Sequence, residues 1–117
     1  MTEIGKYNLE ERTFKFTRNV ALYCKSLPKG ISNTEYSRQV IRSSGSTGAN
    51  YIEANEALSK KDFAMRMKIS RKEAKESGYW LRLLVDTNPN IFKKEGMSLF
   101  KESVELKKIL SSIISKL

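Results

Sequence analysis

Residues 59–86 read SKKDFAMRMKISRKEAKESGYWLRLLVD, and the spacing of their apolar residues indicates a helical fold. Wound as an α-helix, the segment places apolar and small residues three and four positions apart on one side. This core face holds Phe63, Met67, Ser70, Ala74, Leu81, Leu84 and Val85. A row of cations lies to one side of it: Lys61, Lys68, Arg71, Lys72, Lys75 and Arg82. The segment therefore predicts a core helix with a strongly basic flank.

The same helix carries a second apolar stripe, although a helix of an isolated bundle normally has one. Two residues of the first helix lie outside its core stripe in the same way. Surplus apolar surface of this kind is usually buried between subunits. We therefore predict a homo-oligomer whose interface includes Phe14, Leu22, Met65, Ile69, Trp80 and Leu83.

Three further segments show the helical period. The four predicted helices span residues 9–27, 33–57, 60–87 and 94–117. The connections between them are short, which makes sequential helices antiparallel neighbours. Residues 1–117 are therefore predicted to form one all-α domain, an antiparallel up-down-up-down four-helix bundle.

Two helix starts have recognisable capping signals. Ser32 and Glu35 have the spacing of a capping box. Ser59, with Asp62 three residues later, predicts the N-cap of the third helix.

The middle of the second segment, residues 42–49, is made mostly of small residues and includes Gly45 and Gly48. Each mid-helix glycine costs roughly 1 kcal/mol relative to alanine, so a flexible loop is one interpretation. The apolar period continues through both glycines, however. This favours a helix whose neighbour approaches closely.

Composition excludes several classes of function. The 117 residues include no histidine and a single cysteine, Cys24, which rules out histidine-based catalysis and an internal disulfide. No apolar run approaches the roughly 20 residues of a membrane span, and the first residues lack the apolar region of a secretory signal. We expect a cytoplasmic protein with no cofactor, no metal and no membrane partner.

The net charge of +9 suggests a polyanionic partner. Residues 59–90 alone hold eight Lys or Arg against four Asp or Glu. The simpler interpretation is a solvated helix face. We favour a nucleic-acid interface for RNA or DNA, read through the backbone, formed by the cation row of the third helix. A second patch is predicted at Arg12, Lys15 and Arg18. An acidic protein partner is the alternative.

The sharpest enzyme hypothesis rests on three Glu-x-x-Glu pairs: Glu53 with Glu56, Glu73 with Glu76, and Glu102 with Glu105. Such pairs hold Mg²⁺ in all-α nucleotide phosphohydrolases. Ion pairs between helices or subunits explain them more simply, so we predict no metal site, no catalytic residue and no enzyme. Cys24, Tyr51 and Trp80 are likewise expected to serve packing.

A combination of short motifs resembles a known family. Residues 42–57 read RSSGSTGANYIEANEA, and SKKDF at 59–63, KEAKE at 72–76 and YWLRLL at 79–84 follow. Together they resemble the bacterial four helix bundle proteins, also called the 23S rRNA intervening-sequence proteins. Two departures are Thr47, where an aliphatic residue is expected, and Gly78, where a longer polar residue is usual.

The resemblance implies an antiparallel four-helix bundle that assembles into a ring-like homopentamer. Relatives include proteins encoded inside intervening sequences of large-subunit ribosomal RNA genes. Another is the accessory variability determinant protein of diversity-generating retroelements, a basic pentamer that binds nucleic acid and partners a reverse transcriptase. The resemblance makes a reverse transcriptase, or another nucleic-acid enzyme, a candidate partner. It supplies no catalytic residues.

Overall fold

The computed structural model describes the backbone of residues 2–117 and the side chains of residues 9–117. Four α-helices account for most of this part of the chain, which contains no β-strand. They are α1 (Thr2–Ser26), α2 (Ile31–Asn55), α3 (Lys60–Asp86) and α4 (Lys93–Ser115), with a short 3₁₀-helix at Asn90–Phe92 before α4. The all-α prediction is confirmed.

The helices pack around one core. Helix α2 contacts α1 and α3, α3 contacts α4, and α4 returns to contact α1. The largest fully buried side chains come from all four helices: Phe16, Val20, Tyr23, Val40, Met67, Leu81, Leu84, Leu106 and Leu110. Each helix thus contributes one apolar face, as the periodicity predicts.

One of the two predicted caps is present. The backbone N–H of Asp62 donates to Ser59 Oγ at 3.1 Å, which makes Ser59 the N-cap of α3. The prediction of a capping box at Ser32 and Glu35 is wrong. Helix α2 begins at Ile31, and its N-cap is Gly30, with no hydrogen bond from a capping side chain. The first helical hydrogen bond, from the Thr34 N–H to the Gly30 carbonyl, already encloses Ser32.

The small-residue segment of α2 is helical throughout, so the flexible-loop interpretation is wrong. The Thr17 hydroxyl of α1 donates to the Ser44 carbonyl at 2.9 Å, and the Ser70 hydroxyl of α3 donates to the Thr47 carbonyl at 2.6 Å. Ser43 and Ser77 share a hydrogen bond of 2.8 Å. Helices α1 and α3 therefore both approach the α2 backbone closely enough for short side chains to bridge the gap.

The residues assigned to packing are at least partly buried. Tyr51 is buried, and Cys24 and Trp80 are half-buried against the core. Burial also raises the pKa of the Cys24 thiol, which disfavours the reactive thiolate.

Candidate nucleic-acid interface

The cation row of α3 is largely exposed. Lys61, Lys68, Lys72, Lys75 and Arg82 are exposed, and Arg71 is half-buried. The N-terminal part of the row borders a shallow depression on α3, where Lys61, Lys68 and Lys72 surround Met65 and Ile69. Because five ammonium or guanidinium groups repeat over successive turns of one helix, this flank presents a line of positive charge.

A deeper groove of about 590 Å³ lies between α3 and α4. Four cations border it: Lys72, Lys75 and Arg82 from α3, and Lys107 from α4. Its remaining lining includes Gly78, Tyr79, Phe100, Ser103 and Val104. The groove therefore continues the α3 row onto a second helix.

Further depressions continue this surface across α4 to α1. Arg82 is shared with a depression that includes Lys93, Lys93 is shared with the next one, and Ser98 joins that one to a depression beside Arg12. We call this continuous surface the basic belt. Its cations are Lys61, Lys68, Lys72, Lys75, Arg82, Lys107, Lys93, Lys94, Lys101, Arg12 and Lys15.

Three carboxylates also lie on the basic belt, and two of them are paired. Glu76 accepts hydrogen bonds from Arg42 and, at 2.9 Å, from the Trp80 indole. Burial raises the pKa of Glu76, but these hydrogen bonds outweigh it, so the pKa lies below its ordinary value. Glu102 accepts two hydrogen bonds from Arg12, at 2.7 and 2.9 Å. Asp86, the third, is exposed, and none of the ion pairs between side chains of residues 9–117 involves a lysine of the belt.

The residues of the predicted second patch differ in their surroundings. Lys15 and Arg18 are exposed, but Arg12 is engaged with Glu102, and this hydrogen bond raises the pKa of the guanidinium. Arg18 and Arg71 do not border the depressions that define the belt. Arg12 thus joins α1 to α4 at the site where the sequence suggests only a surface cation.

The lysines of α4 were missed by the sequence analysis: Lys93, Lys94, Lys101 and Lys107. A signal was available, because Lys94 and Lys101 are seven residues apart and so share one helix face. With these lysines, the α3 row and Lys15 belong to one surface.

The carboxylates of the Glu-x-x-Glu pairs contact basic side chains or are exposed. Arg42 of α2 lies 3.3 Å from Glu73 and also contacts Glu76, while Glu102 pairs with Arg12. Glu105 lies 3.6 Å from Lys108, and Glu53 and Glu56 are exposed on α2. Among the side chains of residues 9–117, no three acidic or cysteine side chains come together as metal ligands. Two of the pairs thus supply the interhelical ion pairs that the sequence favours.

The predicted interface residues fall into two groups. Phe14, Leu22 and Met65 are 63, 56 and 48% exposed. Ile69, Leu83 and Trp80 are half-buried within the protomer, and the Trp80 ring stacks on Tyr36 of α2 at a centroid distance of 5.9 Å. Trp80 therefore has an intramolecular packing partner already.

These features define a class: a small helical bundle with a basic belt and no helix, in the part described, long and apolar enough to cross a membrane. The family of 23S rRNA-intervening sequence proteins matches residues 6–112, and the chain belongs to that family. This confirms the resemblance drawn from the motifs.

A solved structure is similar over nearly the whole chain. It is a protein with unknown function from the S23 ribosomal protein family of Bacteroides thetaiotaomicron VPI-5482, with 35% sequence identity and a TM-score of 0.76. The match covers 91% of this chain and 97% of that one. A comparison with curated proteins finds no match.

Proposed function

We propose that the protein is a non-catalytic, homo-oligomeric nucleic-acid-binding bundle of the cytoplasm that acts as an accessory or adaptor. The basic belt carries the proposal. Lysines distributed over α3 and α4 can follow a chain of phosphates, and two of the three carboxylates among them are held by Arg42 and Arg12.

Binding through such a surface is driven mainly by the release of counterions from the phosphates. Lysines are point charges without the fixed geometry that reads base edges. The belt therefore favours binding to RNA or DNA with little dependence on sequence and a strong dependence on salt. An oligomer would repeat the belt and multiply its attraction for one strand.

The proposed bundle topology and assembly rest on two features. Only residues 27–30 and 56–59 connect α1 to α2 and α2 to α3, which supports antiparallel neighbours in up-down order. Phe14, Leu22 and Met65 expose apolar surface that a second protomer would cover. The family resemblance adds the homopentamer as the expected stoichiometry.

A charge-reversal experiment tests the proposal. The test variant changes Lys68, Lys72 and Lys75 to Glu; the control changes Lys25, Lys29 and Arg38, which are exposed outside the belt, to Glu. Both alter the net charge equally. Affinity for labelled RNA and DNA is measured by fluorescence anisotropy at two salt concentrations. We expect the affinity to fall at least about tenfold in the belt variant only. Circular dichroism checks that both variants fold.

Equal loss in both triple variants would mean that net charge alone matters and would overturn the assignment to the belt. Unchanged affinity in the belt variant would do the same. If the wild type binds neither RNA nor DNA but binds an acidic protein in a salt-sensitive manner, the nucleic-acid assignment is wrong and the alternative partner replaces it.

A further inference from the structure

The groove between α3 and α4 combines two chemistries, a cationic border and an apolar, aromatic lining. Its border is cationic, with Lys72, Lys75, Arg82 and Lys107. Between these side chains lie aromatic and aliphatic groups, including Tyr79, Phe100 and Val104. An apolar slot surrounded by cations suits a ligand that is flat and apolar in one part and anionic in the next.

Tyr79 is the most accessible aromatic surface of the groove. Its side chain is 58% exposed. The ring meets the Trp80 indole edge to face at a centroid distance of 5.0 Å, and Trp80 is held in turn by Tyr36 and Glu76. Because its neighbour is fixed on two sides, Tyr79 offers a ring of restricted position at the edge of the groove.

Gly78 determines how closely α3 and α4 approach beneath this ring. A β-carbon at position 78 would lie 2.8 Å from Ser103 Oγ and 3.4 Å from the Phe100 ring. The missing side chain brings α4 against the α3 backbone, and Phe100 then lines the same groove as Tyr79. The absence of a side chain at Gly78 therefore permits tight packing of α4 on α3 here.

We propose that this groove receives an unstacked base of a single-stranded nucleic acid, while flanking phosphates contact Lys72, Lys75, Arg82 and Lys107; the inference rests on the proposed function. Every base has a π-face that can stack on an aromatic ring, so such a subsite adds affinity without sequence preference. A volume of about 590 Å³ falls within the range that holds small planar ligands. Bases in a duplex are already stacked and paired, so they cannot enter.

Charge distinguishes this occupant from a second copy of the chain. Packing another protomer against the groove would bring four bordering cations against a protein that itself carries a net charge of +9. The one carboxylate in the lining, Glu76, is engaged by Arg42 and Trp80. A polyanion relieves the repulsion among the bordering cations, whereas a basic protomer adds to it.

The test compares a labelled single-stranded 20-mer with a duplex of the same length, both titrated by fluorescence anisotropy. Tyr79→Ala should weaken single-strand binding roughly tenfold and leave duplex binding unchanged, because it removes stacking and no charge. Tyr79→Phe retains the ring and should restore the single-strand preference. A 2-aminopurine base in the strand, together with Trp80 fluorescence, reports a base arriving beside the groove.

Other outcomes overturn the inference. An unchanged ratio of single-strand to duplex affinity in Tyr79→Ala means that no base uses this ring. If the Lys68, Lys72 and Lys75 charge reversal nevertheless weakens both ligands, the proposed function stands without the base subsite. If Tyr79→Ala or the groove-filling Val104→Trp changes the oligomeric state in light scattering, the groove is an interface between copies. If neither ligand binds the wild type, both proposals fail.

Discussion

Gly48 of α2 lies directly against Thr13 of α1. A β-carbon at position 48 would be 3.0 Å from Thr13 Oγ1 and 3.2 Å from Thr13 Cβ. Thr13 is itself almost completely buried, and its hydroxyl donates to the Glu10 carbonyl at 3.0 Å. The packing between α1 and α2 therefore depends on the absence of a side chain at Gly48, at the expense of helix propensity.

Gly45 and Gly48 provide a matched pair for testing this. A β-carbon at Gly45 would meet only Thr17 Cγ2, at an ordinary 3.8 Å. Gly45→Ala should therefore raise the free energy of unfolding by about 0.5–1 kcal/mol through propensity alone. Gly48→Ala should lower it by about 1 kcal/mol, because Thr13 must shift in a packed site. Urea unfolding measures both, and equal stabilisation by the two substitutions would contradict the close approach.

Most of the fold follows from periodicity, and the exceptions have local causes. The core faces and the Ser59 cap are predictable because they depend on spacing along one helix. The start of α2 is not, because Gly30 already provides the extended residue and the carbonyl that a helix start needs. The contact at Gly48 is predictable only as a close approach, since the sequence does not say that Thr13 is the neighbour.

Gly96 of α4 has the most restricted surroundings among the glycines of residues 9–117. A β-carbon there would overlap the Tyr23 hydroxyl and a Val85 methyl group, and would lie 2.9 Å from Tyr23 Cζ. The Tyr23 hydroxyl also donates to the Phe92 carbonyl at 3.0 Å, so the ring cannot move without losing that bond. These contacts join α1, α3 and the start of α4.

We expect Gly96→Ala to lower the free energy of unfolding by at least about 2 kcal/mol, through overpacking and loss of the Tyr23 hydrogen bond. Val85→Ala in the same chain should recover part of the loss by making room. Gly45→Ala is the control, since it adds the same methyl group inside a helix where a β-carbon would meet only Thr17 Cγ2, at 3.8 Å. A Gly96→Ala protein that melts like the control would show that the α4 start can move away freely.

Arg42 of α2 forms ion pairs with the carboxylates of both Glu73 and Glu76. Glu73 is only 7% exposed, whereas the Arg42 side chain is 50% exposed. Replacing Arg42 by Met would leave the Glu73 carboxylate buried without its partner, at a cost of about 1–3 kcal/mol in unfolding free energy. Adding Glu73→Gln should recover much of this loss, because the buried group no longer carries charge. A double-mutant cycle in urea measures the coupling, and additive effects would contradict it.

The Glu76 contacts make stability depend on pH in a defined direction. The pKa of Glu76 is lowered in the folded protein from an ordinary value of 4.5. Below that value the unfolded state binds more protons, so the stabilisation is complete above about pH 4.5 and is lost as the pH falls through the lowered pKa. Glu76→Gln should therefore destabilise the protein at pH 7 and have less effect at pH 3. The exposed Glu53→Gln serves as the control, and a pH-independent difference between them would contradict this account.

The sequence predicts the candidate site less completely than the fold. A row on one helix is visible from spacing, so five exposed cations of α3 are predictable. The groove is not, because Tyr79 and Phe100 come together only when α3 packs on α4 through Gly78. Arg12 is visible in the sequence as a cation, but its hydrogen bond to Glu102 is not, because the two residues are 90 positions apart in the chain.

Assembly gives the last prediction. Phe14 and Leu22 are exposed on α1, eight residues apart and so on similar sides of the helix, and neither borders the basic belt. Size-exclusion chromatography with light scattering should give a particle of several 13.4-kDa protomers, and absorbance at 260 nm should fall on washing with high salt. Phe14→Glu with Leu22→Glu should dissociate it, because the change places charge in an apolar interface.

Ile31→Glu with Ile91→Glu is the matched control, because these residues are 86 and 83% exposed at the helix connections and receive the same charge. Dissociation only in the α1 variant, with unchanged helix content, places the interface on that face. A wild-type protein that elutes as a monomer would contradict the prediction that the exposed apolar residues are buried in an oligomer. A particle that both variants leave intact would contradict an interface at Phe14 and Leu22. Met65, the exposed apolar residue predicted for the interface on α3, would then be the next residue to change.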